Sequence, residues 1–341
     1  MQVHENFSLK HLNTFGIAGF ARFYGSFRDE FELDQFVHDL HHLREVSQYP
    51  PMILGGGSNM LFTQNFDGLV LKVGIQGINY TTQGDDISLT AGGGVVWNDL
   101  VNYCVEKGFA GLENLSLIPG TVGASPIQNI GAYGVELKDI FTACTAFEIS
   151  TGTIKTFNYQ DCKFGYRDSV FKNELKGKYI ITSVTFHLSK KANLKTHYGA
   201  ITAELDERGI KNPTIADVSN VVSAIRVSKL PDPKTIGNAG SFFKNPIISQ
   251  SEFKKLLANF PSVVNYPIGE NEVKLAAGWL IEQCGFKGMV VGQTGTWKNQ
   301  ALVLVNHGNA SGHEVYNFSE QIIDTVRAKF GVKLDREVNI L

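Results

Sequence analysis

Ile53-Leu54-Gly55-Gly56-Gly57-Ser58-Asn59-Met60-Leu61 begins as an apolar run, turns through three glycines and continues into two side chains able to hydrogen-bond. Met52-Ile53-Leu54 reads as a short buried strand, as does Leu69-Val70-Leu71 beyond the turn. Glycine has no Cβ, so backbone N–H groups in such a turn can close on a phosphate or a flat ring. The segment therefore fits a pyrophosphate cradle. It is not a P-loop, because no Gly-Lys-Ser/Thr follows, and Met60 stands where the dinucleotide fingerprint needs its third glycine. Taken alone, a triple glycine is more often simply a loop.

A second glycine-rich segment, Gly111 to Gly134, changes the weight of the first. It is long and polar, yet carries Ile118, Val122, Ile127 and Ile130. Such a stretch suits an extended cofactor with a flat apolar ring and a diphosphate, the competing reading being a structural loop packed on its own domain. Around these loops the spacing predicts a helix from Trp97 to Glu106 stopped by Gly108, a hairpin turning at Ser150-Thr151-Gly152, and a strand over Tyr179 to Leu188. Near residue 190 the pattern shifts to longer helices. One carries the stripe Ile215, Val218, Val222, Ile225 and ends before Pro231-Asp232-Pro233. Another is expected from Leu275 to Cys284, a strand over Ala301 to Val305, and a last helix opened by a Ser311–Glu314 capping box.

A chain of 341 residues with 43% hydrophobic and 19% charged residues can bury two or three packed units. A formal charge of -2 lacks the basic excess that nucleic-acid binding requires. The four cysteines are too far apart for a metal pair or a disulfide scaffold, and read as reduced, mostly buried thiols. No apolar run approaches a membrane span, and residues 1–11 carry no signal-peptide core, so a cytoplasmic location and no membrane partner are expected. His38, His41 and His42 sit at metal-ligand spacing on an expected helix, but a solvated helix face is the plainer reading and no metal is expected.

Five motifs in order then give the chain a likeness: Gly55-Gly56-Gly57-Ser58-Asn59, Ile118-Pro119-Gly120-Thr121-Val122-Gly123, Phe164-Gly165-Tyr166-Arg167-Asp168-Ser169, Gly240-Ser241-Phe242-Phe243-Lys244-Asn245-Pro246 and Lys274-Leu275-Ala276-Ala277-Gly278-Trp279-Leu280-Ile281. Together they resemble the UDP-N-acetylenolpyruvoylglucosamine reductases, over residues 13 to 338. The resemblance implies an α+β fold: a two-lobed FAD-binding module of the vanillyl-alcohol-oxidase (PCMH) type over residues 1–190, with lobes of roughly 1–75 and 76–190. A C-terminal α+β UDP-sugar substrate-binding domain, 191–341, would follow, its last strand returning to the active site. It further implies an FAD enzyme acting on a CH–CH bond in peptidoglycan precursor synthesis, with NADPH as co-substrate and UDP-N-acetylglucosamine enolpyruvate reduced to UDP-N-acetylmuramate. A monomer working on small molecules is expected.

Residue roles follow from the same resemblance. FAD falls to Gly55, Gly56, Gly57, Ser58, Asn59, Met60, Leu61, Pro119, Gly120, Gly123, Ala124, Ser125, Ile127 and Gly131. Arg167 would stabilise the charge that hydride addition leaves beside the substrate carboxylate, a task for which a planar, permanently charged fork is suited. Its bland alternative is an ion pair with Asp168. Ser241 would donate the proton that quenches the carbanion, and Glu337 would assist near the carboxylate beside Arg167. Tyr198 matches a tyrosine on a loop that folds across the substrate channel in one of two family subtypes. Tyr133, Arg226, Lys229, Asn245, Tyr266, Lys287 and Gln300 would hold the UDP-sugar. One departure is local: family members commonly continue a few residues further, whereas here Val338-Asn339-Ile340-Leu341 follow the final glutamate.

Two rivals remain at this stage. An alcohol or hydroxy-acid oxidase on the same module would often tether FAD through a histidine near the cradle, but Met52, Ile53 and Leu54 precede it here. A non-catalytic nucleotide-sugar binder would have little use for Arg167, Ser241 and Glu337.

Overall fold

A computed structural model describes residues 2–35 and 49–341; His38, His41 and His42 lie outside the described residues. Compactness divides the chain into one unit of Met1–Phe7, Ala21–Gly56 and Phe66–Arg226 and another of Ser8–Phe20, Gly57–Asn65 and Val227–Leu341.

The first unit is built on two sheets. One has the strand order Val3–Ser8, Phe20–Phe27, Phe66–Val73, Met52–Leu54, and its last three strands run parallel. Alternate residues of a strand share a face, so Phe23 and Phe27 join Leu69, Leu71 and Val73 in a core with Phe147, Ile149 and Ile180. The other sheet is an antiparallel set in the order Ile154–Asn158, Phe141–Glu148, Tyr179–Ser189, Asp86–Gly92, Ile78–Gln83. Its edge is the expected hairpin, with Phe147 opposite Ile154. Helix Trp97–Lys107 buries Trp97, Leu100, Val101 and Cys104 against this sheet and stops at Gly108. Each such apolar side chain contributes ~1.5–3 kcal/mol on burial, so packing rather than propensity holds the helix. All four cysteines are free. Burial, with Glu113 adding, pushes the Cys104 thiol up to about 12, so it stays protonated and inert at neutral pH.

The expected boundary at residue 190 is not where compactness divides the chain. Helices Gly199–Glu207 and Ile215–Lys229 bury Ile201, Leu205, Val218, Val221, Val222 and Ile225 in one cluster, against which Tyr133 packs. The Ser116 and Ser219 hydroxyls meet at 2.8 Å, and the Asn114 amide donates to the Lys195 carbonyl at 2.8 Å. These contacts draw the chain as far as Arg226 into the first unit. The shift of pattern at 190 marks longer elements, not a domain edge.

In the second unit, one sheet has the order Gly237–Ser241, Gln300–Asn306, Thr294–Trp297, Val290–Val291, and a smaller one the order Ile247–Ser249, Glu272–Leu275, Asn265–Ile268. Residues 8–20 and 57–65 join it through backbone and buried side-chain bonds. Asn238 N donates to Thr14 O at 3.0 Å, the Asn306 amide to Phe15 O at 2.9 Å, and Thr63 N to Leu341 O at 2.7 Å. The helix expected from Leu275 runs over Ala277–Gln283 instead. Leu275 belongs to a strand and donates its N–H to Pro246 O, while Ala276 donates to Val264 O.

Helix Gly312–Phe330 starts with the predicted capping box: Ser311 accepts from Glu314 N, and Ser311 N donates to Glu314 Oε2 at 2.7 Å. Donation from Ser311 N, and after it from the Ser311 hydroxyl at 2.8 Å, holds the Glu314 carboxyl below its usual range. A depressed folded pKa stabilises above the unfolded pKa, and that contribution is lost as pH falls through the folded value. The stability deficit of Glu314→Gln, read by urea titration, should therefore shrink as pH drops below about 4.5; a deficit independent of pH would contradict this. Gly312 provides a second test. Alanine inside a helix normally gains about 1 kcal/mol over glycine, but a Cβ here would overlap the Phe62 carbonyl and lie 2.8 Å from Thr63 Cα. Gly312→Ala should instead destabilise by about 1–3 kcal/mol through overpacking, seen as a lower denaturation midpoint.

Candidate active site

Close packing of two loops explains the glycines of the cradle in the first unit. A Cβ on Gly56 would lie 2.8 Å from Gly120 Cα, and one on Gly55 would lie 2.6 Å from Thr121 Oγ1. The Gly111–Gly134 segment is ordered by short 3-10 turns and by bonds to its neighbours. Trp97 N donates to Gly120 O at 3.0 Å, Val122 N to Val95 O at 2.9 Å and Gly123 N to Gly93 O at 2.9 Å. Ser125 is buried with its hydroxyl on Val122 O, Ala124 follows Gly123 in the same turn, and Pro119 stands exposed. Among the described residues the buried Thr121 hydroxyl has no hydrogen-bond partner, and the Gly55 and Gly56 N–H groups donate no backbone bond. A buried donor left unsatisfied costs about 1–3 kcal/mol, and a phosphate oxygen would satisfy it. These residues fit the diphosphate of FAD.

A cationic cluster lies elsewhere in the same unit. Gly165 and Asp168 exchange backbone bonds of 3.0 and 3.3 Å, leaving Tyr166 and Arg167 at the corner of a tight turn. Arg167 has φ 54, a conformation that non-glycine residues adopt mainly where the surroundings enforce it. Its guanidinium donates to Gly131 O at 2.6 Å. Burial lowers the pKa of Arg226, Tyr133 opposing and Arg167 adding to the effect, and Arg226 Nε is buried without a partner among the described residues. Tyr133, with φ 49, packs edge-on against Tyr198 at 5.5 Å. Burial raises the Tyr133 pKa, Arg226 opposing and Tyr198 adding. Tyr198 is 44% exposed at the start of helix Gly199–Glu207. Of the residues expected to meet substrate, Arg167, Arg226, Tyr133 and Tyr198 are thus gathered together.

Ser241 and Glu337 come together in the second unit. Glu337 N donates to Phe242 O at 2.8 Å, setting the glutamate beside the residue that follows the serine. Ser241 ends a strand whose register slips between Asn238 and Ser241. Gly240, at φ 69, forms the irregularity, and buried Asn238 accepts its N–H at 3.0 Å while donating to Pro231 O and Ile236 O. Such bulges re-aim a side chain. Asn238 was missed in the sequence, where an Asn before Ala-Gly reads only as a turn signal.

Other residues of the cradle and the expected UDP-sugar set are also in this unit. Gly57, Ser58 and Asn59 lead into Met60–Leu61, which runs parallel to Asn339–Ile340, and the Asn59 amide donates to Glu337 O at 3.3 Å. The residues after Glu337 are thereby held in place. Asn245 accepts the Ala277 N–H at the start of helix Ala277–Gln283, and Gln300 Oε1 lies 2.7 Å from where a Cβ on Gly278 would be. Lys287 pairs with Glu282 at 2.8 Å. Tyr266 and Lys229 are exposed, on strand Asn265–Ile268 and at the end of helix Ile215–Lys229. Among the described residues no His, Cys, Asp and Glu side chains group as metal ligands, and no helix is long and apolar enough to cross a membrane.

Residues 232–341 match the family model for the C-terminal domain of UDP-N-acetylenolpyruvoylglucosamine reductase, and residues 40–158 match that of an FAD binding domain. The UDP-N-acetylenolpyruvoylglucosamine reductase of Flavobacterium johnsoniae is 48% identical over 343 residues, with 100% of both chains covered. That of Pseudomonas aeruginosa is 46% identical over 341 residues, covering 100% of this chain and 99% of its own. Among solved structures, a UDP-N-acetylenolpyruvylglucosamine reductase from Thermus caldophilus superposes with a TM-score of 0.68 at 23% identity, over 100% of this chain and 99% of that one. At that identity the likeness speaks for the fold.

Proposed function

Because the chain belongs to the UDP-N-acetylenolpyruvoylglucosamine reductases, FAD-dependent oxidoreductases of peptidoglycan synthesis, we propose that it reduces UDP-N-acetylglucosamine enolpyruvate to UDP-N-acetylmuramate with NADPH as the electron source. In this reading Gly55, Gly56 and Thr121, with the Pro119–Gly131 segment and the Gly57–Leu61 turn, hold FAD. When bound, FAD supplies hydride transfer from NADPH to the terminal carbon of the enolpyruvyl double bond.

Hydride addition leaves negative charge on the carbon beside the carboxylate, spreading into an enediolate-like group. Arg167 holds that carboxylate and stabilises the charge, a fixed donor being worth most where charge develops in a water-poor site. Ser241 delivers a proton to the carbanion; a hydroxyl is a weak acid, but its acceptor is so basic that position outweighs acidity. Glu337 assists near the carboxylate. Tyr133, Tyr198 and Arg226 contact the substrate, and Lys229, Asn245, Tyr266, Lys287 and Gln300 hold its nucleotide and sugar.

The observation that carries this reading is the buried Arg226 Nε, without a partner among the described residues, in the unit that also holds the Arg167 guanidinium and the Tyr133–Tyr198 pair. Positive charge concentrated where burial disfavours it calls for an anionic ligand, and the substrate offers a carboxylate and a diphosphate. We further propose that it acts in the cytoplasm as a monomer on small molecules; the net charge of -2 lacks the basic excess that nucleic-acid binding requires.

The visible spectrum tests the reading. NADPH added under nitrogen should bleach the flavin, and the enolpyruvyl sugar nucleotide should restore its colour. Recovery only with oxygen would mark an oxidase, and a protein unable to take up FAD would mark a binding module.

A further inference from the structure

We infer that Asn129 is a positioning residue that sets the Arg167 guanidinium for a carboxylate ligand. The inference rests on the reading of Arg167 as the carboxylate anchor. Asn129 is fully buried, with φ 45. Its amide donates to Gly165 O at 2.9 Å and to Glu136 Oε2 at 3.1 Å, and its carbonyl oxygen accepts from Lys138 N at 3.0 Å.

The first of these bonds reaches the turn that carries Arg167. Gly165 O also accepts from Asp168 N, so the amide locks the base of the two-residue corner. Two further bonds join the same pair of segments. The Ser169 hydroxyl donates to Ile127 O at 2.7 Å and Arg167 to Gly131 O at 2.6 Å. Residues 127, 129 and 131 thereby meet 169, 165 and 167 in three rungs. Asn129 is the rung that grips the turn ahead of Arg167, while Gly131 receives the guanidinium itself. A Cβ on Gly131 would lie 3.2 Å from Arg167 Nη1 and 3.0 Å from Glu136 Cγ, so the fit at this end is close. Lys138 pairs with Glu136 at 2.7 Å, and Asn129 bonds the same carboxylate. Asn129 therefore fixes the backbone under Arg167 and restrains the nearby acid.

A side chain that only held the fold would affect all ligands alike, whereas one that aims a guanidinium should affect carboxylate ligands selectively. Asn129→Asp tests this because aspartate also tolerates positive φ, but removes the donor to Gly165 O. Calorimetry on the FAD-loaded protein should compare UDP-N-acetylmuramate, which carries the carboxylate, with UDP-N-acetylglucosamine, which does not. Asn129→Asp is expected to lose about tenfold of the wild-type preference for the carboxylate ligand, with affinity for UDP-N-acetylglucosamine held within about twofold. Asn129→Gly, which suits the same backbone, should do the same and serves if the aspartate variant fails to fold. Equal weakening of both ligands, or an unchanged preference in a folded variant, overturns the inference. If the wild type shows no preference, or Arg167→Ala leaves it intact, the underlying reading of Arg167 fails and the inference with it.

Discussion

Replacing Ser241 with alanine is expected to slow reoxidation of the reduced flavin by the enolpyruvyl sugar nucleotide about 10³-fold, while NADPH still reduces the flavin at a rate within about twofold of wild type. The asymmetry follows from where the proton is needed. Hydride transfer from NADPH calls on no acid at the sugar, whereas the carbanion must take up a proton to become product. The change is small enough to interpret, since it removes one hydroxyl from a half-buried position and leaves the Gly240 bulge and its Asn238 clamp intact. Anaerobic stopped-flow of the two half-reactions decides the matter. Equal loss in both halves would show that Ser241 shapes the site rather than donating the proton.

Arg167→Lys is expected to cut turnover by about 10²–10³-fold, again in the second half-reaction. Lysine keeps the charge and the same backbone demand at φ 54, so any loss reports on the planar fork. A compact ammonium cannot both hold the Gly131 carbonyl and grip a carboxylate with two parallel bonds. FAD content, read from the spectrum, should be unchanged, because in the proposed reading the diphosphate of FAD rests on Gly55, Gly56 and the buried Thr121 hydroxyl. A variant that turns over at the wild-type rate would remove Arg167 from the mechanism.

The motifs expected to carry the chemistry were legible because each lies in a local run of residues. The cradle, the long glycine segment and the Phe164–Ser169 motif each announce a backbone shape. The capping box at Ser311 and the stop at Gly108 were equally plain, since capping is decided within one turn of helix. Asn245 and Gln300 show the limit of that kind of reading. The sequence offered them as substrate contacts, and in the fold each also meets the first turn of helix Ala277–Gln283.

Five motifs in order along the chain carried the family and, through that resemblance, the α+β class, while the glycine clusters raised the expectation of a diphosphate cradle, for such runs are properties of neighbours along the chain. Tertiary structure alone decided that residues 8–20 and 57–65 belong with the C-terminal unit and that the first unit extends to Arg226. It also decided that Asn129 and Asn238 are clamps. Those outcomes depend on bonds such as Thr14 to Asn238, Met60 beside Asn339 and Asn129 to Gly165. Partners so far apart leave no periodic trace in the sequence, because a hydrogen bond across a fold constrains two positions without patterning the residues between them.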